Sequence, residues 1–258
     1  MKKGILLVIF ALIGLHLCNA QYTEKKAVVA IGDFTGNKGA EMRNAFFSSM
    51  PTCRVNVVDW NTVKDTEAAE TVDYIITATI GDVATETKQG TRLLTNQTYT
   101  YYSCKVSFNL VMTDVKKGKV VATRNGHSTS TNEDYSKAVN DCLKFSPQDC
   151  RRLIDNGFVV RVPIQVIQDV KRDRVKTVII AGGSDIGICE GLYFDVQMES
   201  EIAGKKIYKN IGKAKVKEVL SEELTLCEIT DGQKDVMKML DDDVVVVLTS
   251  KEEPLIHF

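Results

Sequence analysis

The sequence predicts a mixed α/β and α+β fold: an N-terminal mixed sheet with packed helices, followed by a small all-β barrel. Three observations carry that prediction. Residues 27–31 form a short, wholly apolar run, as in a strand covered on both faces, and helical spacing follows it. Residues 102–112 alternate, with Tyr102, Cys104, Val106, Phe108, Leu110 and Met112 on one face and Ser103, Lys105, Ser107 and Asn109 on the other. From residue 158 onward the chain offers short strand-like runs parted by Gly, Asp and Lys turns, without a long amphipathic helix.

The first twenty residues read as a cleavable export leader. Lys2 and Lys3 precede an apolar run from Ile5 to Leu17, broken only by Gly14 and His16, and Asn19-Ala20 then meets polar Gln21. Cleavage is expected between Ala20 and Gln21. The run is short for a bilayer span, and Leu17 is bulky where a lipoprotein site before Cys18 wants a small residue. A sheet domain over 21–157 and a barrel domain over 158–258 follow.

Within the sheet domain, Gly32, Gly36 and Gly39 are expected to break the first strand. Met42, Ala45, Phe46 and Ser49-Met50 recur at helical spacing, and Pro51 stops that helix. Residues 55–58 make the next strand, completing a β-α-β opening. Tyr74, Ile76, Ala78 and Ile80 share one face of a further strand. The polar, threonine-rich stretch 81–97 reads as an extended loop or strand extension. After 102–112, the turn at 114–118 places Gly118 where a positive φ is expected, and 119–123 returns as its hairpin partner. Thr131 or Asn132 can cap a helix with Tyr135, Ala138, Val139, Cys142 and Leu143 on one stripe. Ser146-Pro147 opens a second helix that Gly157 closes. The barrel strands are expected at 158–170, 177–181, 192–198, 211–219, 224–229 and 244–249, with a turn or two of helix at 233–240.

Composition narrows the function classes. The chain has 258 residues, 44% hydrophobic and 26% charged, with a formal net charge of -1. Nucleic acid is not expected as a partner, because phosphate binding needs a basic excess. Three histidines and one tryptophan leave little for histidine-based catalysis or metal binding. His127 and Ser128 are neighbours on a strand and point to opposite faces. No catalytic residue, metal or cofactor is expected.

The remaining motifs are few. Gly32, Gly36 and Gly39 lie between strand and helix with Lys38 among them, and Gly36, Lys38 and Gly39 could seat an anion. The loop has neither a GxGxxG nor a GK[ST] pattern, so a close-packed turn is the favoured reading and a nucleotide-binding enzyme a remote one. Tyr99, Tyr101 and Tyr102 cluster among threonines and are the candidate interaction surface for protein or glycan. An alternative puts Tyr102 in the core and the other two over the sheet edge. The even set of cysteines left after the leader permits disulfides in an exported chain. Cys142 with Cys150, across the bend at Ser146-Pro147, and Cys189 with Cys227, across barrel strands, are the candidate pairs. Cys104 points inward and fits a reduced core thiol.

A family resemblance rests on these same segments. Asp33-Phe34, the strand ending Val57-Val58-Asp59, residues 72–80, and Val111-Met112-Thr113-Asp114-Val115 with Gly118-Lys119-Val120-Val121 resemble the CsgG-like fold. That family includes the curli secretion channel and is related to the lipoprotein activator of penicillin-binding proteins and to FlgT. Gly183, Gly187, Gly191, Phe194-Asp195-Val196 and residues 211–216 are similar to the small SH3-like barrel of FlgT-like proteins. The resemblance carries no catalytic residues. It implies a periplasmic, non-enzymatic protein-binding component of an envelope assembly or secretion system, with peripheral outer-membrane association and homo-oligomers compatible with it. Two other expectations remain: an oligomeric outer-membrane secretion pore subunit, and a regulator of a cell-wall synthase. The stretch 81–100 is too polar on both faces for lipid contact, which weighs against the pore.

Overall fold

A computed structural model describes residues 25–145, 147–242 and 244–251 of the chain. The architecture is a mixed α+β domain with a six-stranded sheet, joined to a closed six-stranded antiparallel barrel. The expected leader at 1–20 and the acidic residues Asp243, Glu252 and Glu253 lie outside the described residues.

Strand β1 (Val28–Thr35) lies between β2 (Asn56–Asp59) and β3 (Tyr74–Ile80), parallel to both. Its Val29, Ala30 and Ile31 are fully buried, which accounts for the unbroken apolar run. The expected break at Gly32 does not occur: β1 continues to Thr35. A Cβ at Gly32 would press on the Ile75 and Thr77 methyls at 3.1 Å, so glycine here permits close strand approach. Helix α1 (Gly39–Ser49) follows and buries Met42 and Phe46 on the sheet. A four-residue helix α2 (Trp60–Val63), capped by the Asp59 side chain, and a 3-10 turn (Glu67–Thr71) fill the short connection to β3.

Strand β5 (Thr98–Asp114) is the spine of the sheet domain. Its residues 108–114 pair with β3, its residues 98–105 with β4 (Ala84–Thr91), and β6 (Lys119–Asn132) runs along the opposite edge. Within the segment 81–97, expected as an extended loop or strand extension, residues 84–91 form a full strand, β4. Every β4 residue but Gly90 is exposed, so no apolar period could mark it. Strand β6 runs nine residues beyond the expected partner segment.

Helix α3 (Tyr135–Cys142) is capped by Asp134, whose carboxylate accepts from the Lys137 N–H at 3.0 Å. This corrects the expected cap at Thr131 or Asn132. Asn132 acts one step earlier, accepting from the Asp134 N–H. Helix α4 (Pro147–Gly157) supplies buried Cys150, Leu153 and Ile154. Together α1, α3 and α4 cover Val29, Ile31, Ile76, Val106, Leu110 and Met112 in one cluster, with Phe34, Phe46 and Phe145 meeting ring to ring. On the other face, Thr77, Thr79, Lys105, Ser107 and Asn109 remain exposed.

The barrel closes in the order β10-β11-β8-β7-β12-β9. Its strands are β7 (Arg161–Val170), β8 (Val175–Ala181), β9 (Tyr193–Ile202), β10 (Lys205–Val219), β11 (Leu224–Asp231) and β12 (Val246–Lys251), with α5 (Gln233–Asp241) between the last two. Val162, Ile180, Phe194, Val196, Ala214, Ile229 and Leu248 fill the interior, and Val236 of α5 packs into the same cluster. Full closure removes the sheet edges that short strands would otherwise expose.

Candidate functional site

The most exposed large hydrophobic side chains among the described residues lie on the β4–β5 hairpin. Register pairs Thr91 with Thr98 at its tip, while β6 reaches only Tyr102 on the far side of β5. Residues 98–101 therefore continue as a two-stranded arm past the end of β6. The tip is built from hydrogen bonds that fold the chain tightly: Asn96 N–H donates to the Arg92 carbonyl at 2.8 Å, and Arg92 N–H donates to the Gln97 carbonyl at 3.0 Å. Asn96 adopts a left-handed φ of 53°, which its short amide side chain tolerates. That geometry thrusts Leu93 and Leu94 outward, at 96% and 100% exposure.

The three tyrosines do not make one surface. Tyr102 faces the helices and meets Tyr135 edge-on, with ring centroids 5.4 Å apart. Tyr99 and Tyr101 lie on the opposite face, 5.7 Å apart and half-buried. A Cβ at Gly90 would meet the Tyr99 ring at 2.8 Å, so the ring covers the bare backbone of the glycine opposite. The Arg92 guanidinium sits 5.4 Å from the Tyr99 centroid and reaches both Glu133 oxygens at 3.0 Å. Tyr99 and Tyr101 thus stiffen the arm, and its most exposed side chains are the two leucines that sequence reasoning passed over. Their signal was two adjacent apolar residues in an otherwise polar stretch.

The glycine loop is a packing device. A Cβ at Gly36, which has φ 114°, would stand 2.2 Å from the Ile80 carbonyl oxygen, and one at Gly39 would stand 2.0 Å from that of Phe34. Lys38 is neutralised by Glu41 at 2.8 Å. Arg43 of α1 instead reaches the middle of β1, donating to the Ile31 carbonyl at 2.7 Å and the Gly32 carbonyl at 2.8 Å while pairing with Asp59. That hydrogen bond holds the Asp59 carboxyl below its usual range.

The cysteines among the described residues are free thiols, grouped differently from the pairs expected. Cys142 faces Cys104 rather than Cys150, and Cys189 faces Cys53 rather than Cys227. The Cys142 thiol donates to the Ser128 carbonyl at 3.4 Å, and burial with Cys104 beside it pushes its pKa up to about 12. Burial alone raises Cys227 to about 12, and burial with Asp149 nearby does the same for Cys150. The expected Cys142–Cys150 bridge fails because Cys142 turns toward β5 instead. The expected Cys189–Cys227 bridge fails because Cys227 lies inside the barrel, while Cys189 sits at its junction with the sheet domain.

That junction is built around Arg54. Its guanidinium donates to Asp155 at 2.8 Å, to the Gly187 carbonyl at 2.6 Å and to the Phe158 carbonyl at 2.9 Å, with both partners of the ion pair almost wholly buried. On the barrel, Lys171, Arg172, Arg174, Lys176 and Lys234 line an open cleft of about 350 Å³ at the β7–β8 turn. Such a cleft attracts an anionic group.

No family model matches the chain, and no curated protein matches it. Solved structures do. A minor lipoprotein from Acinetobacter baumannii is 7% identical, covers 50% of this chain and 93% of its own, and has a TM-score of 0.31. Lipoprotein GNA1162 from Neisseria meningitidis is 12% identical over 44% of this chain and 90% of its own, with a TM-score of 0.27. The PelC dodecamer from Paraburkholderia phytofirmans is 14% identical over 54% and 91%, with a TM-score of 0.32. All three are bacterial proteins, two of them lipoproteins by name, and the likeness at this level is partial.

Proposed function

We propose that this protein is an exported, non-enzymatic component of the cell envelope that docks on partner proteins through the β4–β5 arm. One observation carries the reading: two adjacent leucines held fully exposed at the tip of a braced hairpin. Leaving two large apolar side chains in water at a turn favours nothing in the isolated fold, and burying each against a partner contributes about 1.5–3 kcal/mol. Exposed apolar groups rimmed by polar residues are typical of interaction sites. Here the rim is Arg92, Thr95, Asn96 and Gln97. The export-leader pattern and the CsgG-like resemblance of the sequence support an envelope assembly or secretion role.

The double substitution Leu93→Ser with Leu94→Ser tests this. Neither side chain packs on the core, so the melting temperature should stay within a few degrees of the parent. Chemical crosslinking in intact cells should lose the partner band. A variant that keeps every crosslinked species removes the arm from the account. The identity of the band then separates an assembly component, a cell-wall synthase and a second copy of this chain.

A further inference from the structure

We propose that Cys53 and Cys189 form a dithiol site that closes into a disulfide and latches the sheet domain to the barrel. The inference does not depend on what the hairpin arm binds. Cys53 lies in the turn before β2, and Cys189 follows the 3-10 turn Ser184–Ile186 of the barrel. The two turns are pressed together. A Cβ on Gly187 would stand 2.2 Å from the Arg54 carbonyl oxygen, and Gly187 has a left-handed φ of 77° that glycine accommodates. Arg54 donates across the same gap to the Gly187 carbonyl, and the Lys26 N–H donates to the Asp185 carbonyl. Between these contacts Cys53 lies beside Cys189, near enough for each thiol to act on the other.

The partners are unequal in the way a reactive pair requires. Cys53 is exposed and Cys189 is buried. The Cys189 hydrogen bond, with the cations of Arg151, Arg54 and Lys26, lowers the Cys53 thiol to about 6. The same contact, with burial, raises Cys189. Exposed Cys53 is thus the thiol that an outside reagent reaches, and buried Cys189 behind it is the one placed to resolve. The other neighbouring pair, Cys104 and Cys142, is shut inside the sheet domain with no exposed sulfur.

The oxidant is an external disulfide, of low molecular weight or carried by a protein. The Cys53 thiolate attacks one of its sulfurs, forming a mixed disulfide and releasing one thiolate. Cys189 then gives up its proton to the medium and attacks the Cys53 sulfur, expelling the second thiolate. The external disulfide is reduced to two thiols, and the protein loses two hydrogen atoms.

The full-length protein, reduced and then incubated with oxidised glutathione, tests the step. After acid quenching and proteolysis, mass spectrometry should find the Cys53 and Cys189 peptides linked, exceeding glutathionylated Cys53 by roughly tenfold or more, because the second attack is intramolecular. Cys189→Ser should trap glutathione on Cys53. Cys53→Ser, a change at an exposed position, should take up no glutathione while folded. The proposal is overturned if the parent protein ends with Cys53 glutathionylated or free and no linked peptide. It is also overturned if Cys53→Ser is modified as fast as the parent.

Discussion

Arg54 donates to three oxygens from two segments, those of Asp155 and Phe158 at the end of α4 and that of Gly187 in the barrel, and its side chain is almost wholly withdrawn from water. Burial alone would make its partner Asp155 hard to ionise, and burial pushes that carboxyl up even though Arg54 and Arg151 pull it down. Removing one member of such a pair leaves the other charged and unmatched. Asp155→Ala should therefore destabilise the protein by about 3–5 kcal/mol in urea unfolding. Replacing both members with apolar residues of similar size should cost distinctly less than the single change. Equal losses would mean that packing, not the uncompensated charge, sets the effect. Nothing in the sequence marked Arg54. A single arginine after Cys53 has no period, and its carboxylate partner lies 101 residues on. The cysteines were visible as a set, but spacing along the chain does not rank pairings that the meeting of two domains decides.

Among the elements, those with one buried face were legible. The alternation from Tyr102 to Met112 marked β5, because every second side chain enters the helix-covered cluster. The helical stripe of Met42 and Phe46 marked α1 for the same reason. Strand β4 was not, since backbone pairing with β5 holds it and its exposed Thr, Glu, Lys and Gln record no buried face; the far part of β6 was not, because the residues on its half-buried face, Arg124, Gly126, Ser128, Ser130 and Asn132, are glycine and polar side chains. The glycines separate into two physical kinds, which a pair of substitutions distinguishes. Gly39 is walled by the Phe34 carbonyl, whereas Gly118, at φ 60°, has nothing within 4 Å of its missing Cβ. Gly118→Ala should cost about 1–2 kcal/mol, the penalty of a left-handed backbone alone. Gly39→Ala should cost more than that, through the clash that forces α1 away from β1. Thermal melts of the two variants read this directly, and a Gly39→Ala protein as stable as Gly118→Ala would show that α1 is free to shift.

At the scale of the whole molecule, two cores meet at a junction held by a buried ion pair. The barrel carries the basic cleft around Arg174, and the sheet domain carries the arm. The expected division near residue 157 rests on the change in pattern there. The arm could not be read this way, because a tip defined by exposure leaves no mark in periodicity beyond the leucine pair itself. Docking through the arm requires that this tip meet another protein. A photo-crosslinking amino acid placed at position 94 in cells, with Thr77 on the open face of the sheet as the comparison position, reads the contact in place. A discrete crosslinked species at 94 that is absent at 77 is the expected result. Crosslinks at 77 alone, or none at 94 or 93, would contradict docking through the arm.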